Sequence, residues 1–389
     1  MSRNKIIIIL LGLGLYFLST GASYFYFAKA SQGPLSSPLP PPTAGTNGSV
    51  MFDTSLPKTQ ACPLNGVLYS KQQEAWWQKH RPLGVMIENH VDARPQSGLS
   101  GADVVYEAVA EGGITRFLSV FYCQDAGQVG PVRSARTYFI DFVSEYGSSP
   151  LYAHVGGANQ PGPADALGQL GDYGWAGYND LNQFSIGFPT FWRDYDRLPN
   201  VATEHTMYSS VDKLWDYAAT TRKLTNVDEN GKAWDTNFVQ YQFSDDAPAS
   251  ARPTSQTMHL EFWQSAGSDY FVDWAYDPKT NLYKRSVGGK PHIDKDTGKQ
   301  LAAKDVIVLE MVEANANDGY IANDHLLYRD KGTGKAVVFK DGKRIDATWS
   351  KASRTARTII RDLSGNEIKF NRGLMWFEIL PSDGVLNVK

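Results

Sequence analysis

Beyond Phe238 the chain repeats one pattern: short segments that alternate apolar and polar residues, separated by turn-forming pairs. Val239 to Phe243, Met258 to Trp263 and Phe271 to Tyr276 alternate, and Val306 to Val312, Ala336 to Lys340 and Met375 to Leu380 continue the series. Asp277-Pro278, Gly288-Gly289, Asp341-Gly342 and Ser364-Gly365-Asn366 lie between them. Successive strand side chains point to opposite faces, so such a run specifies half-buried, mostly antiparallel strands. The stretch from Arg81 to Arg222 reads differently. Leu83 to Ile87 predicts a buried strand, and Ala102 to Ala110 and Phe117 to Tyr122 predict adjacent strands around Gly112-Gly113. Ser134 to Tyr146 and Val211 to Ala219 carry apolar residues at helical spacing. The fold class expected is α+β: a mixed α/β domain over residues 62–235, then a β-rich domain over residues 236–389.

Two segments precede these domains. Ile6 to Ala28 holds no charge and follows Arg3 and Lys5. Its length suits a membrane-spanning helix with the N-terminus in the cytoplasm and the bulk exported. The competing reading is a signal peptide cut after Ala28-Lys29-Ala30. The length of the run and its Tyr24-Phe25-Tyr26-Phe27 end favour an uncleaved anchor over residues 1–30. Residues 31–61 are rich in Pro, Ser and Gly, including Pro40-Pro41-Pro42, and predict an extended spacer. The partner expected there is the cytoplasmic membrane.

Composition excludes several function classes. After residue 30 the chain has 35 basic against 41 acidic residues, which disfavours nucleic-acid binding. Two cysteines are too few for an iron–sulfur protein or a zinc ribbon. Cys62 and Cys123 are either a disulfide in an exported protein or two free thiols. The seven histidines are scattered, so neither a metal site nor a cofactor is expected. Aromatic residues reach 12%, which fits a β-rich core or stacking surfaces for sugars.

No familiar catalytic signature occurs in the chain. The unusual feature is a set of charged and polar residues among apolar ones: Glu88, Asn89, Arg94, Glu107, Glu111, Arg116, Arg133, Arg136 and His154. Isolated buried ions are costly, so these must pair with one another or line a wet cleft. A paired reading joins Glu107 to Arg116 or Glu111 to Arg136, and period-two alternation puts Glu107 and Glu111 on one face. In a cleft, Arg133 and Arg136 at a helix start would suit phosphate or carboxylate.

These segments closely resemble the YerB-like family of bacterial envelope proteins. The likeness rests on Cys62-Pro63-Leu64-Asn65-Gly66, Arg81 to Asn89, Arg94 to Leu99, Ala102 to Glu107, Glu111 to Leu118 and Gly130 to Arg136. It continues through Tyr283-Lys284-Arg285, Asp305 to Val308, Gly332 to Ala336 and Gly373 to Ile379. The resemblance implies a two-domain exported protein, often a lipoprotein, whose activity is not established. An apolar helix stands here where many members have a lipid-modified cysteine. Glu204-His205-Thr206 stands where that family's pattern has Pro-His-Asn.

In outline only, the order acidic strand, Arg-bearing turn, His154 and Gly156-Gly157 resembles the LytR-CpsA-Psr phosphotransferases, with Asp103 loosely at their metal-binding Asp. Three functions compete: binding of an anionic or glycan envelope ligand, phosphoryl transfer or hydrolysis on envelope glycopolymers, and a structural role. The arginine-rich turn, with no recognisable nucleophile beside it, favours binding.

Overall fold

The computed structural model describes residues 3–30, 41–45, 49–320 and 325–389. Two compact units emerge, residues 1–41 and 42–389.

The first unit is the helix α1 (Arg3–Ala30). Gly12, Gly14, Gly21, Ser19, Thr20 and Ser23 interrupt its apolar run. The Ser19 and Thr20 hydroxyls turn back to donate to the Tyr16 carbonyl. Among the described residues no helix is long and apolar enough to cross a membrane, so the spanning anchor expected here is not supported. The spacer expected over residues 31–61 also gives way after Pro42; residues 31–40 and 46–48 lie outside the described residues. Thr43–Ala44 pairs with Val50–Met51, and Lys58–Ala61 with Leu68–Ser70. The Val50 amide donates to Asp125 at 2.7 Å, so this stretch, which opens the second unit, is bonded into it.

In the second unit the first half supplies β1 (Leu83–Glu88), β2 (Val104–Glu111), β3 (Ile114–Phe121), β4 (Leu151–His154) and β5 (Asp180–Asn182), with helices α2 (Thr137–Val143) and α3 (Val211–Thr221). The second half supplies β6 (Thr257–Glu261), β7 (Val272–Asp277), β8 (Leu282–Val287) and β9 (Asp305–Met311). It continues with β10 (Gly332–Lys340), β11 (Lys343–Lys351), β12 (Ile359–Asp362), β13 (Met375–Pro381) and β14 (Val385–Val388).

Ten strands form one sheet, in the order β5-β4-β1-β3-β2-β13-β9-β10-β11-β12. Strand β13 runs parallel to β2, with Met375 opposite Val104 and Glu378 opposite Glu107. It also runs parallel to β9, whereas β9 to β12 are antiparallel. The halves on either side of residue 235 therefore share a sheet through β2 and β13. A second sheet contains β8-β7-β6-β14. Helix α2 is buried on every residue, and a Cβ on Gly84 of β1 would lie 2.7 Å from Val143, so the glycine admits the helix.

The expected elements mostly form. The hairpin around Gly112-Gly113 is β2 and β3, and the strand series becomes β6, β7, β9, β10 and β13. Val239 to Phe243 is the exception: only Phe243–Ser244 is a strand, paired with Phe370–Asn371.

Candidate functional site

A shift of register in the β2–β3 hairpin divides the charged set. Residues pair regularly from Val104–Val120 to Val109–Thr115, then the register slips between Val109 and Glu111. An extra residue in one strand reverses which face the following side chains occupy. Glu107 and Glu111 therefore have separate surroundings, contrary to the shared face expected from simple alternation.

Glu107 is fully buried and faces the second half. Arg285 Nη2 donates to both its carboxylate oxygens, at 2.9 and 2.7 Å. The Thr115 hydroxyl donates at 2.7 Å, with Asn89 and Trp376 each at 3.3 Å. The Arg285 guanidinium lies 5.1–5.9 Å from the ring centres of Phe117, Trp274 and Trp376. It also donates to His292 Nδ1, whose Nε2 lies 2.7 Å from Gln96 Oε1. Burial, with Arg285 and Arg94 beside it, holds His292 well below its usual range, so the ring is neutral and donates to Gln96. Arg94 bonds the Asn89 side chain and backbone and the Asp269 carbonyl. Burial and neighbouring Arg285 bring Arg94 down to about 10, still charged at neutral pH. Asn89 and Glu107 thus belong to a closed network between the halves, with the half-buried Arg94 at its edge, where it lines a cavity with Asp269 and His292. The expected Glu107–Arg116 pair does not form.

Glu111 binds two arginines. Arg116 Nη2 donates to Oε1 at 2.8 Å, and Arg136 Nη2 donates to Oε2. Burial would raise this carboxyl, but Arg116, Arg136 and Arg133 outweigh it and hold it at about 2. The guanidiniums also donate to the Ser134 and Ala135 carbonyls. Arg136 is 5% exposed, so it does not face solvent as expected, and the start of fully buried α2 offers no open anion site. His154 is likewise enclosed, its ring nitrogens 2.6 Å from the Gly156 carbonyl and from Asp180.

Arg133 reaches the surface, with the buried Glu88 behind it. Arg133 Nε lies 3.3 Å from Glu88 Oε1, and His205 Nδ1 lies 2.9 Å from Glu88 Oε2. Arg133 also lines a cleft of about 460 Å³ with Ser134, Gly156, Gly157, Phe184 and Arg193. Asn182 Oδ1 accepts from the Gly156 and Phe184 amides, each at 3.1 Å, and so places the Phe184 ring beside Gly156. A Cβ on Gly156 would lie 2.9 Å from that ring.

Of the nine residues expected at a site, only Arg133 lines this cleft directly, and Glu88 braces it. Arg193, Phe184 and His205 were not anticipated. Arg285 carried a signal: Tyr283, Arg285 and Val287 share the buried face of β8, so a cation stands in an apolar register. A larger cavity of about 630 Å³, between residues 144–150 and 353–359, contains none of the nine. There Arg357 pairs with Glu367 and Arg354 lies over the Tyr173 ring.

Cys62 and Cys123 form a disulfide. Asp103 lies beneath it, accepting from Asn65 and from the Tyr122 and Cys123 amides. Burial raises its carboxyl to about 7 despite these bonds. It is remote from solvent and does not line the cleft.

A disulfide-bonded α+β protein whose halves share a sheet is the class these features define. Residues 66–225 match the family described as "Protein of unknown function (DUF3048) N-terminal domain", and residues 258–377 its C-terminal domain. The chain is 31% identical over 332 residues to YerB of Bacillus subtilis (strain 168), provisionally named a lipoprotein; this covers 83% of this chain and 87% of that one. The crystal structure of Bacillus subtilis YerB matches with a TM-score of 0.66 and 26% identity, covering 85% of this chain and all of that one. The chain belongs to the YerB-like family.

Proposed function

We propose that the protein acts outside the cytoplasm, at the cell envelope, and binds an anionic group of an envelope glycan in the cleft beside Arg133. The observation that carries this reading is the pairing of two arginines, Arg133 and Arg193, with the 77%-exposed Phe184 ring around one cleft. Arginine forks suit phosphate and carboxylate, and an exposed ring suits a sugar face. Glu88 braces Arg133 from behind, which leaves its position fixed before a ligand arrives. The disulfide fits an oxidising compartment, and the relative's lipoprotein name fits the membrane surface.

The test is calorimetric titration of the full chain with phosphorylated and carboxylated wall saccharides. A charge-assisted contact is worth about 1.5–3 kcal/mol, so Arg193→Ala should weaken binding roughly tenfold or more. The Arg133→Ala/Arg193→Ala double variant should abolish it. Absence of binding to every such saccharide, or equal binding by the double variant, refutes the reading.

A further inference from the structure

We propose that His90, Asp92 and His205 form a divalent transition-metal site, with Glu88 as the positioning residue behind His205. Offered as one atom per residue, their donor atoms all lie within 4.8 Å of one another. Among the described residues one other such group occurs, Cys62 with Asp103 and Cys123, and its thiols are consumed by the disulfide.

His205 is the fixed member. It lies on the turn Thr203–Thr206 with 7% of its side chain exposed. Glu88 Oε2, 2.9 Å away, accepts the hydrogen bond of an Nδ1–H, the tautomer that keeps a lone pair on Nε2. A carboxylate behind a histidine is the arrangement that fixes a metal-binding imidazole and raises its basicity.

His90 and Asp92 are the adjustable members. His90 precedes the turn Val91–Ala93, and its Nδ1 accepts from the Asp92 amide at 3.2 Å. The His90 ring lies over the His205 ring at 4.8 Å, tilted by 14°. Side-chain exposure is 29% for His90 and 59% for Asp92, so both can rotate without disturbing the core. Metal–ligand bonds of about 2.0–2.2 Å require donor atoms about 3–3.5 Å apart. The site therefore requires the His90 and Asp92 side chains to rotate onto His205 as the ion binds.

The donor set selects the ion. Two imidazoles and one carboxylate favour Zn²⁺ or Co²⁺ over Ca²⁺ or Mg²⁺, which prefer oxygen. Three protein ligands leave a fourth position for water. Arg133 on the other oxygen of Glu88 opposes a cation, and Glu88, Asp92 and nearby Glu204 offset it. His90 and His205 are 115 positions apart in the chain, which is why scattered histidines conceal the group.

The experiment titrates the tag-free full chain with Zn²⁺ by calorimetry, and with Co²⁺ while recording visible absorption. The expected result is one ion per chain, with the strong Co²⁺ band of a four-coordinate site. His90→Ala and Asp92→Asn, at a half-buried and an exposed side chain, should each weaken binding at least tenfold. Glu88→Gln, which removes no ligand, should weaken it about 10–100-fold. Lack of stoichiometric binding overturns the proposal, as does binding unchanged in His90→Ala/His205→Gln. No saccharide or anion enters this titration, so its outcome is independent of the cleft reading.

Discussion

Arg285 closes on Glu107 from 178 positions away, with one guanidinium nitrogen within 2.9 Å of both carboxylate oxygens and neither side chain exposed. The pair lies where β2 meets β13, so it joins the two halves at the strand contact that makes their sheet continuous. Glu378 stands next to it on β13. Burial and the adjacent Glu107 carboxylate push Glu378 well above the usual carboxylate range, so one negative charge faces Arg285 at neutral pH.

Removing one partner of this pair strands a buried charge, which typically costs about 3–5 kcal/mol. Arg285→Met should show that loss in urea denaturation. Glu107→Gln should cost less, because Glu378 can then ionise and take its place beside Arg285. The Glu107→Gln/Arg285→Met double variant should be more stable than Arg285→Met alone. Equal losses for the two single variants would contradict the role given to Glu378.

The disulfide closes a loop spanning 61 positions. In the chain-entropy treatment such a cross-link stabilises by about 4 kcal/mol, mainly by restricting the unfolded chain. The Cys62→Ala/Cys123→Ala variant should unfold at correspondingly lower urea concentration. Reducing agent should shift the wild type and leave the variant unmoved.

Glu111 sets a limit at acid pH. Its folded carboxyl sits at about 2 against an ordinary 4.5. A depressed folded value means the unfolded state binds the proton more readily, so stability falls as pH drops. The contribution is present above about 4.5 and is lost progressively as pH falls through about 2. Glu111→Gln should be less stable than wild type at pH 7, and the difference should shrink between pH 4.5 and 2. A constant difference across that window would show that the two arginines do not hold the carboxyl down.

What the sequence made legible was local. Alternation and Gly112-Gly113 define the β2–β3 hairpin, and helical spacing places α3. The β2–β13 contact joins strands about 270 positions apart, and no periodicity in either strand reports its neighbour. The same distinction applies to the charges. The Glu111–Arg136 pair was among those anticipated, because both belong to one stretch of charged residues and lie 25 positions apart. Glu107–Arg285 was not, because its partner comes from the other half. The slip between Val109 and Glu111 is also silent in the pattern, since Val109, Ala110 and Glu111 fit an unbroken strand equally well.

Phe184 separates packing from binding. Most of the aromatic residues are core: Trp274, Trp349, Trp376 and Tyr106 are nearly or fully buried, which favours the β-rich explanation of the high aromatic content. Phe184, Phe188 and Tyr195 are exceptions, exposed by 77%, 83% and 56% within one short stretch. Phe184 contributes little to the core, so Phe184→Ala should leave the melting temperature within a degree or two, as surface substitutions away from caps and cores usually do. Its ring borders the cleft, with Asn182 holding its backbone and Gly156 leaving room beside it. Loss of a stacking ring should reduce saccharide affinity several-fold, since aromatic contacts are worth about 0.5–1.5 kcal/mol beyond area. Binding of inorganic phosphate, which uses the arginines alone, should stay the same. A variant that loses phosphate binding to the same degree as saccharide binding would show that Phe184 shapes the arginines instead of contacting a sugar.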